Sequence, residues 1–570
     1  MTYLPRLARA FSVLLCAALV PVPPAAAQDG AIIPPGLASA FLTGRVALSD
    51  QDFAQMAASY DQAAQADPSN AMFRELAMQG HVLSGNIARA TELAAEGLAA
   101  GETSQVGSLI LQADEFARGA YDDVISALED GRRTGPLTDA MGAAWAELGR
   151  GSMSEALSAF ELAIEERPEL APFALYQKAM ALAFVGDMER AADILSAENE
   201  SRVSLSRRGV LGHMAILSQL GQFEEAREIG TRMFGASPDE DVAEVMDSLA
   251  DETPVPFTTV SSARDGMAEV YFTLGTALVG EDDDWLPIIY ARLATLLRTD
   301  HGDAILLTGQ LLERAGQYDL ADAAYAQMPE DNPQYLGAQL GRANALFSSG
   351  QADEAIDSLN ALGEARPNSP MVFSTLGDML RREERFEEAA DAYTSAIDLI
   401  EEIEERHWVL LYTRAISYER MGEWELAEPE FRRVLEFVPD EPQVLNYLGY
   451  SLVEQRRDLD EALEMIERAV EGDPDSGYIT DSLGWAFYRL GRYDEAVPVM
   501  ERAVELMPRD PILNDHLGDV YWAVGREREA RFQWRRALSF GPHPDLDMEL
   551  VRRKLEIGKD AALDEDDADE

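Results

Sequence analysis

Residues 477–510 read GYITDSLGWAFYRLGRYDEAVPVMERAVELMPRD, and the following 34 residues repeat the same pattern. The positions that recur in the two copies are Leu483 and Leu517, Gly484 and Gly518, Phe487 and Tyr521, Gly491 and Gly525, Ala496 and Ala530, Ala503 and Ala537, and Pro508 and Pro542. Apolar and small residues at helical spacing flank a central glycine, which predicts two helices joined by a tight turn. Such a hairpin cannot bury its apolar face alone, so it must stack on its neighbours.

Glycine and proline set the geometry of each predicted hairpin. Gly484 has no Cβ, so the second helix can approach the first closely at that point. Gly491 ends the first helix, because glycine tolerates the left-handed conformation that often closes a helix. Pro508 blocks continuation of the second helix and marks the start of the next unit.

The pattern continues in both directions and covers most of the chain. Prolines recur at the ends of units, at Pro68, Pro136, Pro168, Pro238, Pro333, Pro367, Pro439, Pro474, Pro508 and Pro542. This pattern resembles the tetratricopeptide repeat, whose period is about 34 residues. The sequence therefore predicts an all-α fold, a tetratricopeptide solenoid of about fourteen helical hairpins with a C-terminal capping helix.

Interruptions of the repeat phase predict how the chain is divided. The stretch Thr253-Pro254-Val255-Pro256 breaks the pattern, and residues 560–570 contain seven acids. The predicted segments are a signal peptide at 1–27, an N-terminal array at 28–240, a linker or irregular helices at 241–265, degenerate units at 266–335, a C-terminal array at 336–544, a capping helix at 545–558 and an acidic disordered tail at 559–570. We expect the capping helix to present Arg552, Arg553 and Lys554 to solvent.

The charge balance excludes several classes of partner. The 570 residues include 47 Lys and Arg against 103 Asp and Glu, a formal charge of −56 at pH 7. A chain this acidic repels nucleic acid and anionic lipid headgroups. Hydrophobic residues nevertheless make up 47% of the chain, which is enough to form a folded core, so the composition does not predict a disordered acidic polymer. The charge could speed encounter with basic partner surfaces, or it could reflect a saline habitat.

The N-terminus has the three parts of a secretory signal peptide. A positively charged start precedes an apolar run at 10–22 and the small residues Ala25-Ala26-Ala27. This pattern predicts cleavage after Ala27 and a periplasmic protein without a transmembrane span. The chain's single cysteine, Cys16, offers the alternative of an outer-membrane lipoprotein. Leu15 disfavours that alternative, because lipid-attachment sites have a small residue directly before the cysteine.

The sequence predicts no enzyme, no metal site and no cofactor. The six histidines are scattered, and the zinc-protease, phosphate-loop and nucleophile-elbow motifs are absent from the sequence. Paired carboxylates carry little information in a chain with 103 acids. The remaining function is binding.

The repeat phase predicts where a partner would bind. The first helix of each tetratricopeptide hairpin lines the inner groove, and residues at i, i+4 and i+7 form its exposed stripe. In the last three repeats these residues are Asn446, Tyr450 and Val453, then Asp481, Trp485 and Tyr488, then Asp515, Asp519 and Trp522, with Arg489 beside them. Aromatic anchors alternating with carboxylates suit a basic or amide-rich peptide. Two alternatives stay open: the aromatic residues pack between repeats, and Asp481 and Asp515 stabilise helix N-termini.

Three segments resemble a narrower group of proteins. The segments 446–452 (NYLGYSL), 478–493 (YITDSLGWAFYRLGRY) and 514–522 (NDHLGDVYW) resemble long tetratricopeptide adaptors that partner a carboxyl-terminal processing, CtpA-type protease of Gram-negative periplasms. The segment 265–272 (DGMAEVYF) is similar to their middle section. The resemblance implies a non-catalytic scaffold that brings the protease together with substrates such as peptidoglycan hydrolases. The rival interpretation is a scaffold for envelope polysaccharide export or cell division without a proteolytic role.

Overall fold

The structure is a computed structural model that describes residues 36–196, 206–235, 240–280, 285–543 and 545–563. The predicted signal peptide, its cleavage site after Ala27 and Cys16 lie outside these ranges. Within the ranges, all regular secondary structure is helical. No helix there has the length and apolar character needed to cross a bilayer.

The chain forms two compact units, which meet in the sequence between Ser358 and Leu359. The first unit contains α1 (Leu37–Ser49), α2 (Phe53–Ala66), α3 (Ala71–Leu83), α4 (Ile87–Ala99), α5 (Gln105–Ala117), α6 (Tyr121–Glu129), α7 (Pro136–Gly149), α8 (Met153–Glu166), α9 (Ala171–Phe184), α10 (Met188–Leu195), α11 (Arg207–Gln219), α12 (Phe223–Phe234), α13 (Glu240–Ala250), α14 (Ala263–Ala277), α15 (Trp285–Leu297), α16 (Gly302–Arg314), α17 (Tyr318–Tyr325) and α18 (Tyr335–Ser348). Helix α19 (Ala352–Ala365) crosses the boundary. The second unit continues with α20 (Pro370–Arg382), α21 (Phe386–Asp398), α22 (Trp408–Arg420), α23 (Trp424–Phe437), α24 (Pro442–Glu454), α25 (Leu459–Gly472), α26 (Gly477–Arg489), α27 (Tyr493–Leu506), α28 (Pro511–Ala523), α29 (Glu527–Ser539) and α30 (Met548–Ile557).

Successive helices form the predicted pairs. The contacting pairs in the described residues are six from α1/α2 to α11/α12, the two pairs α14/α15 and α16/α17, and five from α20/α21 to α28/α29, thirteen in all. Their apolar stripes meet in buried cores of Ala, Leu, Met and aromatic side chains. The prediction of an all-α solenoid of helical hairpins is confirmed.

The hairpin at 477–510 has the geometry that its small residues predict. A Cβ added to Gly484 would lie 2.7 Å from Cγ of Met500 on the facing helix, so this crossing needs glycine. Gly491 adopts a φ of +74° directly after the first helix, in the left-handed region. Pro508 lies in the turn between α27 and α28.

One hairpin of the first unit packs against helices that are far from it in the sequence. Helices α14 and α15, here called the inner hairpin, pack against α3, α5, α7 and α9. Each of those is the first helix of its own pair, and first helices line the inner face of such an array. The inner hairpin therefore fills the inner face of the N-terminal hairpins.

Close packing and a buried hydrogen bond seat the inner hairpin. Gly266 of α14 lies against the indole of Trp145 on α7, where a Cβ would overlap the ring. The hydroxyl of Tyr271 donates to Oε1 of Gln112 on α5 at 2.9 Å, and both side chains are buried. A side chain longer than glycine at position 266 would lift α14 off α7.

A buried carboxylate, Glu269 of α14, ties the inner hairpin to three other elements. Its carboxylate accepts hydrogen bonds from the hydroxyl of Tyr176 on α9 and from Nε of Arg208 on α11, both at 2.8 Å. Nε2 of His301, directly before α16, lies 3.5 Å away. Burial alone would raise the pKa of Glu269, but Arg208 and His301 outweigh it and lower the pKa to about 2. Glu269 is therefore ionised at neutral pH.

The two predicted middle segments, 241–265 and 266–335, both contain helices. The predicted linker at 241–265 contains nearly all of α13, then residues 251–262 without a helix, and then the start of α14. The segment predicted as degenerate units, 266–335, contains most of the inner hairpin followed by α16 and α17.

Two expectations for the C-terminal end are wrong. Lys554 on α30 does not face solvent but is only 4% exposed, because it pairs with buried carboxylates. The segment 559–563, predicted as the start of a disordered tail, is helical, and its Lys559 and Ala562 are buried. The rest of that predicted tail, 564–570, lies outside the described residues.

Candidate functional site

The predicted groove residues of the last two hairpins come together along α26 and α28. We call Asp481, Trp485, Tyr488, Asp515, His516, Asp519 and Trp522 the inner-face cluster. The indole of Trp485 stacks on the ring of Tyr488 at 4.8 Å between centroids. The same indole also stacks on the imidazole of His516, with the ring centroids 4.1 Å apart and an interplanar angle of 15°. Helical spacing thus produces a continuous row of flat rings on one face.

Three buried carboxylates lie beside this row of rings. Asp481, Asp515 and Asp519 are 5%, 5% and 3% exposed. Oδ2 of Asp481 lies 2.8 Å from Nδ1 of His516, and Oδ1 of Asp519 accepts a hydrogen bond from Nε1 of Trp534 at 3.1 Å. Oδ1 of Asp481 and Oδ1 of Asp515 have no hydrogen-bond partner in the described part of the chain. The cluster thus retains acceptor capacity after its own contacts are formed.

The helix-terminus explanation of two of these acids is not supported. Neither Asp481 nor Asp515 lies in the first turn of its helix. The side chains that cap α26 and α28 are instead those of Ser476 and Asp510. Because the macrodipole acts mainly within the terminal turn, it does not account for Asp481 and Asp515.

Two lysines from the end of the chain neutralise the carboxylates. Residues 545–563, here the C-terminal segment, place Nζ of Lys554 2.8 Å from Oδ2 of Asp515 and 3.1 Å from Oδ2 of Asp519. Nζ of Lys559 lies 2.6 Å from Oδ2 of Asp519 and also bonds the hydroxyl of Tyr488. The same ammonium stands 4.4 Å from the centroid of the Tyr488 ring, within cation–π range.

Burial and charge shift the pKa values of the cluster in opposite directions. Burial, with the neighbouring Asp519, raises the pKa of Asp515. Burial alone would raise the pKa of Asp519 too, but the two lysines outweigh it and lower that pKa. For His516, burial would lower the pKa, but Asp481 and the other carboxylates outweigh it and raise the pKa. The raised pKa of His516 favours its imidazolium form beside Asp481.

The C-terminal segment also covers the last aromatic residue of the cluster. Nε1 of Trp522 donates to Oδ2 of Asp560 at 3.1 Å. Gly558 lies against the Trp522 ring with a φ of +89°, and a Cβ there would come within 2.6 Å of the indole. The chain turns at Gly558 after α30 and passes over the inner-face cluster.

The remaining predicted residues, on α24 and at the end of α26, have other contacts. Oδ1 of Asn446 is buried without a hydrogen-bond partner in the described residues, and burial raises the pKa of the neighbouring Tyr450. Arg489 donates to the carbonyl oxygen of Glu454 at 3.2 Å. Glu454 also accepts the indole hydrogen of Trp485 at 2.6 Å. These residues border the inner-face cluster.

Sequence reasoning missed the partners of the cluster. His516 stands one residue after Asp515, so it falls outside the i, i+4, i+7 stripe, and Lys559 falls in a segment predicted as disordered. Trp485 and Trp522 are half-buried, and each packs against another ring, Trp485 against His516 and Trp522 against Trp534. Within the described ranges, no three His, Cys, Asp or Glu side chains are grouped to hold a metal ion. Buried carboxylates beside aromatic rings stabilise cationic side chains, and here those side chains are Lys554 and Lys559.

Comparison with known proteins identifies the repeat type. Residues 293–378, 412–477 and 481–510 match sequence models of the tetratricopeptide repeat. A TPR repeat-containing protein of Pseudomonas aeruginosa is 30% identical over 185 residues, which are 32% of this chain and 30% of that protein. The match thus spans less than a third of the length of that relative.

Solved structures are also similar, among them the following two. A tetratricopeptide repeat protein from Parabacteroides merdae is 16% identical with a TM-score of 0.38, covering 45% of this chain and 98% of its own. The Cut9–Hcn1 hetero-tetramer of APC/C contains a chain that is 15% identical with a TM-score of 0.37, covering 91% of this chain and 96% of its own. The tetratricopeptide matches thus cover three segments of the chain, and the inner-face cluster begins within the last of them.

Proposed function

We propose that this chain is a non-catalytic protein-binding scaffold of the cell envelope that brings a periplasmic processing protease together with its peptidoglycan-hydrolase substrates. The tetratricopeptide matches support the scaffold part of the proposal. The resemblance of 446–452, 478–493 and 514–522 to protease adaptors suggests the partners. The observation that carries it is the inner-face cluster, in which aromatic rings and buried carboxylates share one face of α26 and α28.

The histidine of the cluster suits an electrostatic role better than catalysis. A general base must reach its substrate and be neutral near the working pH. The ring of His516 is stacked against Trp485 and bonded to Asp481, so little of it is accessible. The carboxylates raise its pKa, which favours the imidazolium form. We therefore assign His516 to charge balance within the site.

Scaffolding would act by linking two binding events. A protease bound at one surface and a substrate at another meet at an effective concentration set by their spacing rather than by bulk concentration. The net charge of −56 would speed encounter with basic surfaces and lose that effect as salt rises. No covalent step by this chain is needed.

The decisive experiment measures cleavage of a purified peptidoglycan hydrolase by the processing protease with and without the full chain. We expect faster cleavage with the wild type and no gain with the double variant Trp485→Ala, Trp522→Ala. The matched control is Tyr478→Ala with Phe532→Ala, which removes two aromatic side chains that are 54% and 56% exposed outside the cluster. Circular dichroism of both variants checks that helicity is retained. Equal acceleration by wild type and inner-face variant would refute the assignment.

The same material tests the rival function and the location. Absence of any acceleration, with capture of polysaccharide-export or division proteins instead, would favour a scaffold without a proteolytic role. We propose export with cleavage after Ala27, so N-terminal sequencing of the mature protein should begin at Gln28. A lipidated Cys16 at the mature N-terminus would make the protein an outer-membrane lipoprotein.

A further inference from the structure

The inner-face cluster is already occupied by part of its own chain. Lys559 reaches Asp519 and Tyr488, and Asp560 bonds Trp522. Tyr488 precedes Lys559 by 71 residues, so this contact joins the end of the chain to the hairpin before the last one. A helix that only capped the last hairpin would stop at α28 and α29. The residues after α30 therefore do more than close the array.

The charge of the site shows what kind of group it requires. Asp481, Asp515 and Asp519 are at most 5% exposed, and His516, Lys554 and Lys559 are the cations within reach. Withdrawing Lys559 would leave Lys554 to balance both Asp515 and Asp519, and a shortage of positive charge beside buried carboxylates is unfavourable. The unpaired Oδ1 atoms of Asp481 and Asp515 support the same conclusion, because they could accept hydrogen bonds that the C-terminal segment does not supply. The site needs a cation from whatever covers it.

The intramolecular occupant has features that favour exchange. Of residues 558–563, only Gly558, Lys559 and Ala562 are buried. The sequence continues with six acids in residues 564–570, whose charge has the same sign as that of the cluster carboxylates, and like charges repel. Because residues 558–563 are covalently connected to α30, they are present at a high effective concentration near the cluster.

We propose that the inner-face cluster is a receptor for a lysine-bearing segment of a partner protein, and that residues 558–563 occupy it in cis until the partner displaces them. This inference rests on the proposed role as a protein-binding scaffold and adds the chemistry of the partner. Lysine fits better than arginine. Its compact ammonium fits between one carboxylate oxygen of Asp519 and the hydroxyl of Tyr488, whereas the planar guanidinium prefers a bidentate partner.

The expected strength of competition follows from the tether. A short flexible connection gives an effective concentration in the millimolar range. If an isolated lysine peptide binds with a Kd of about 100 μM, cis occupation weakens its apparent affinity by about tenfold. Releasing the cis segment should therefore improve trans binding by that factor.

The test uses a fluorescein-labelled peptide with the sequence of residues 556–563, EIGKDAAL, and the full-length protein. Fluorescence anisotropy compares the wild type with Lys559→Glu, which repels the cis segment from Asp519 but leaves α30 and Lys554 in place. The matched control is Arg552→Glu, which makes the same charge change at an exposed residue of α30. We expect about tenfold tighter binding to Lys559→Glu than to the other two proteins. A peptide with glutamine in place of its lysine should not bind.

A second variant makes the result specific to the site. Asp519→Asn in the Lys559→Glu background should abolish binding of the labelled peptide, and circular dichroism should show that helicity is retained. Equal affinity of the wild type and Lys559→Glu, or binding that does not depend on the peptide lysine, would overturn the proposal. A concentration-dependent dimer of the wild type in sedimentation would make a second copy the occupant and would overturn it as well.

The outcome is separable from that of the cleavage experiment. Peptide exchange without acceleration of proteolysis would leave a lysine receptor and remove the protease role. Acceleration without peptide exchange would place partner binding elsewhere on the chain and remove the inference made here.

Discussion

The substitution Glu269→Gln tests how the inner hairpin is held. Glutamine keeps the size of the side chain and removes its charge, so packing around α14 is preserved. The change leaves Arg208 without the carboxylate that it bonds at 2.8 Å, and its nearest other acid, Asp303, is 3.7 Å away. It also removes a charged acceptor from Tyr176. We expect α14 to detach from α9 and α11 more readily.

The magnitude follows from the pKa of Glu269. The pKa of Glu269 is lowered from 4.5 to about 2. At roughly 1.4 kcal/mol for each pKa unit, the ionised form contributes about 3 kcal/mol to stability. Because the folded-state pKa is lowered, this stabilisation is complete above about pH 4.5 and is lost as the pH falls towards 2. The loss of stability caused by Glu269→Gln should therefore be complete at pH 7 and become smaller as the pH falls. Loss of a buried ion-pair partner gives a similar figure, about 3–5 kcal/mol.

Hydrogen exchange followed by mass spectrometry is the appropriate assay, because a repeat protein can open in parts. Amides of α14 should exchange roughly a hundredfold faster in the variant at pH 7, as a loss of about 3 kcal/mol implies. The matched control is Glu161→Gln. Glu161 also bonds a cation at 2.8 Å, Lys178, but its side chain is 57% exposed. An exposed pair contributes about 1 kcal/mol or less, so α8 should exchange almost as in the wild type.

Two results would refute this reasoning. If Glu269→Gln and Glu161→Gln changed exchange equally, the buried network would contribute no more than a surface pair. If the deficit of Glu269→Gln stayed constant between pH 7 and pH 3, ionisation of Glu269 would not be its source.

Three further predictions concern the second unit. Lys554→Met should lower the free energy of unfolding by about 3–5 kcal/mol, because it leaves two buried carboxylates short of a cation, whereas Arg552→Met should leave the urea midpoint unchanged. Gly484→Val should lower the melting temperature through a loss of about 1–3 kcal/mol, since its side chain would overlap Met500. Because the folded-state pKa of His516 is raised, its contribution to stability should be complete below about pH 6.5 and should fall as the pH rises through the folded value. Urea titrations from pH 6 to 9 should show this slope in the wild type and not in His516→Gln.

The sequence predicted what depends on neighbouring residues. The 34-residue period located the hairpins, because the spacing of Gly484, Gly491 and Pro508 acts within one unit. The helical spacing also placed Trp485 and Tyr488 on one face, where they stack. Whether those residues bind a partner is a prediction for the experiments above.

What depends on distant residues was not predictable. Tyr271 bonds Gln112 across 159 positions, and the repeat period carries no signal for a hairpin that leaves its place in the stack. The segment around Lys559 has a strongly acidic composition, which predicts disorder. A single lysine at the right point overrides that average, because it meets buried carboxylates that only the folded array brings together.

The inner hairpin makes the order of synthesis matter for folding. In a simple repeat array, each hairpin can settle on the one made just before it. Here the faces of α3, α5, α7 and α9 stay uncovered until residues 263–297 have left the ribosome. A nascent chain of about 250 residues thus exposes apolar surface that invites aggregation and engages chaperones. Premature termination before α14 should therefore yield an insoluble product, although that product would contain six complete hairpins.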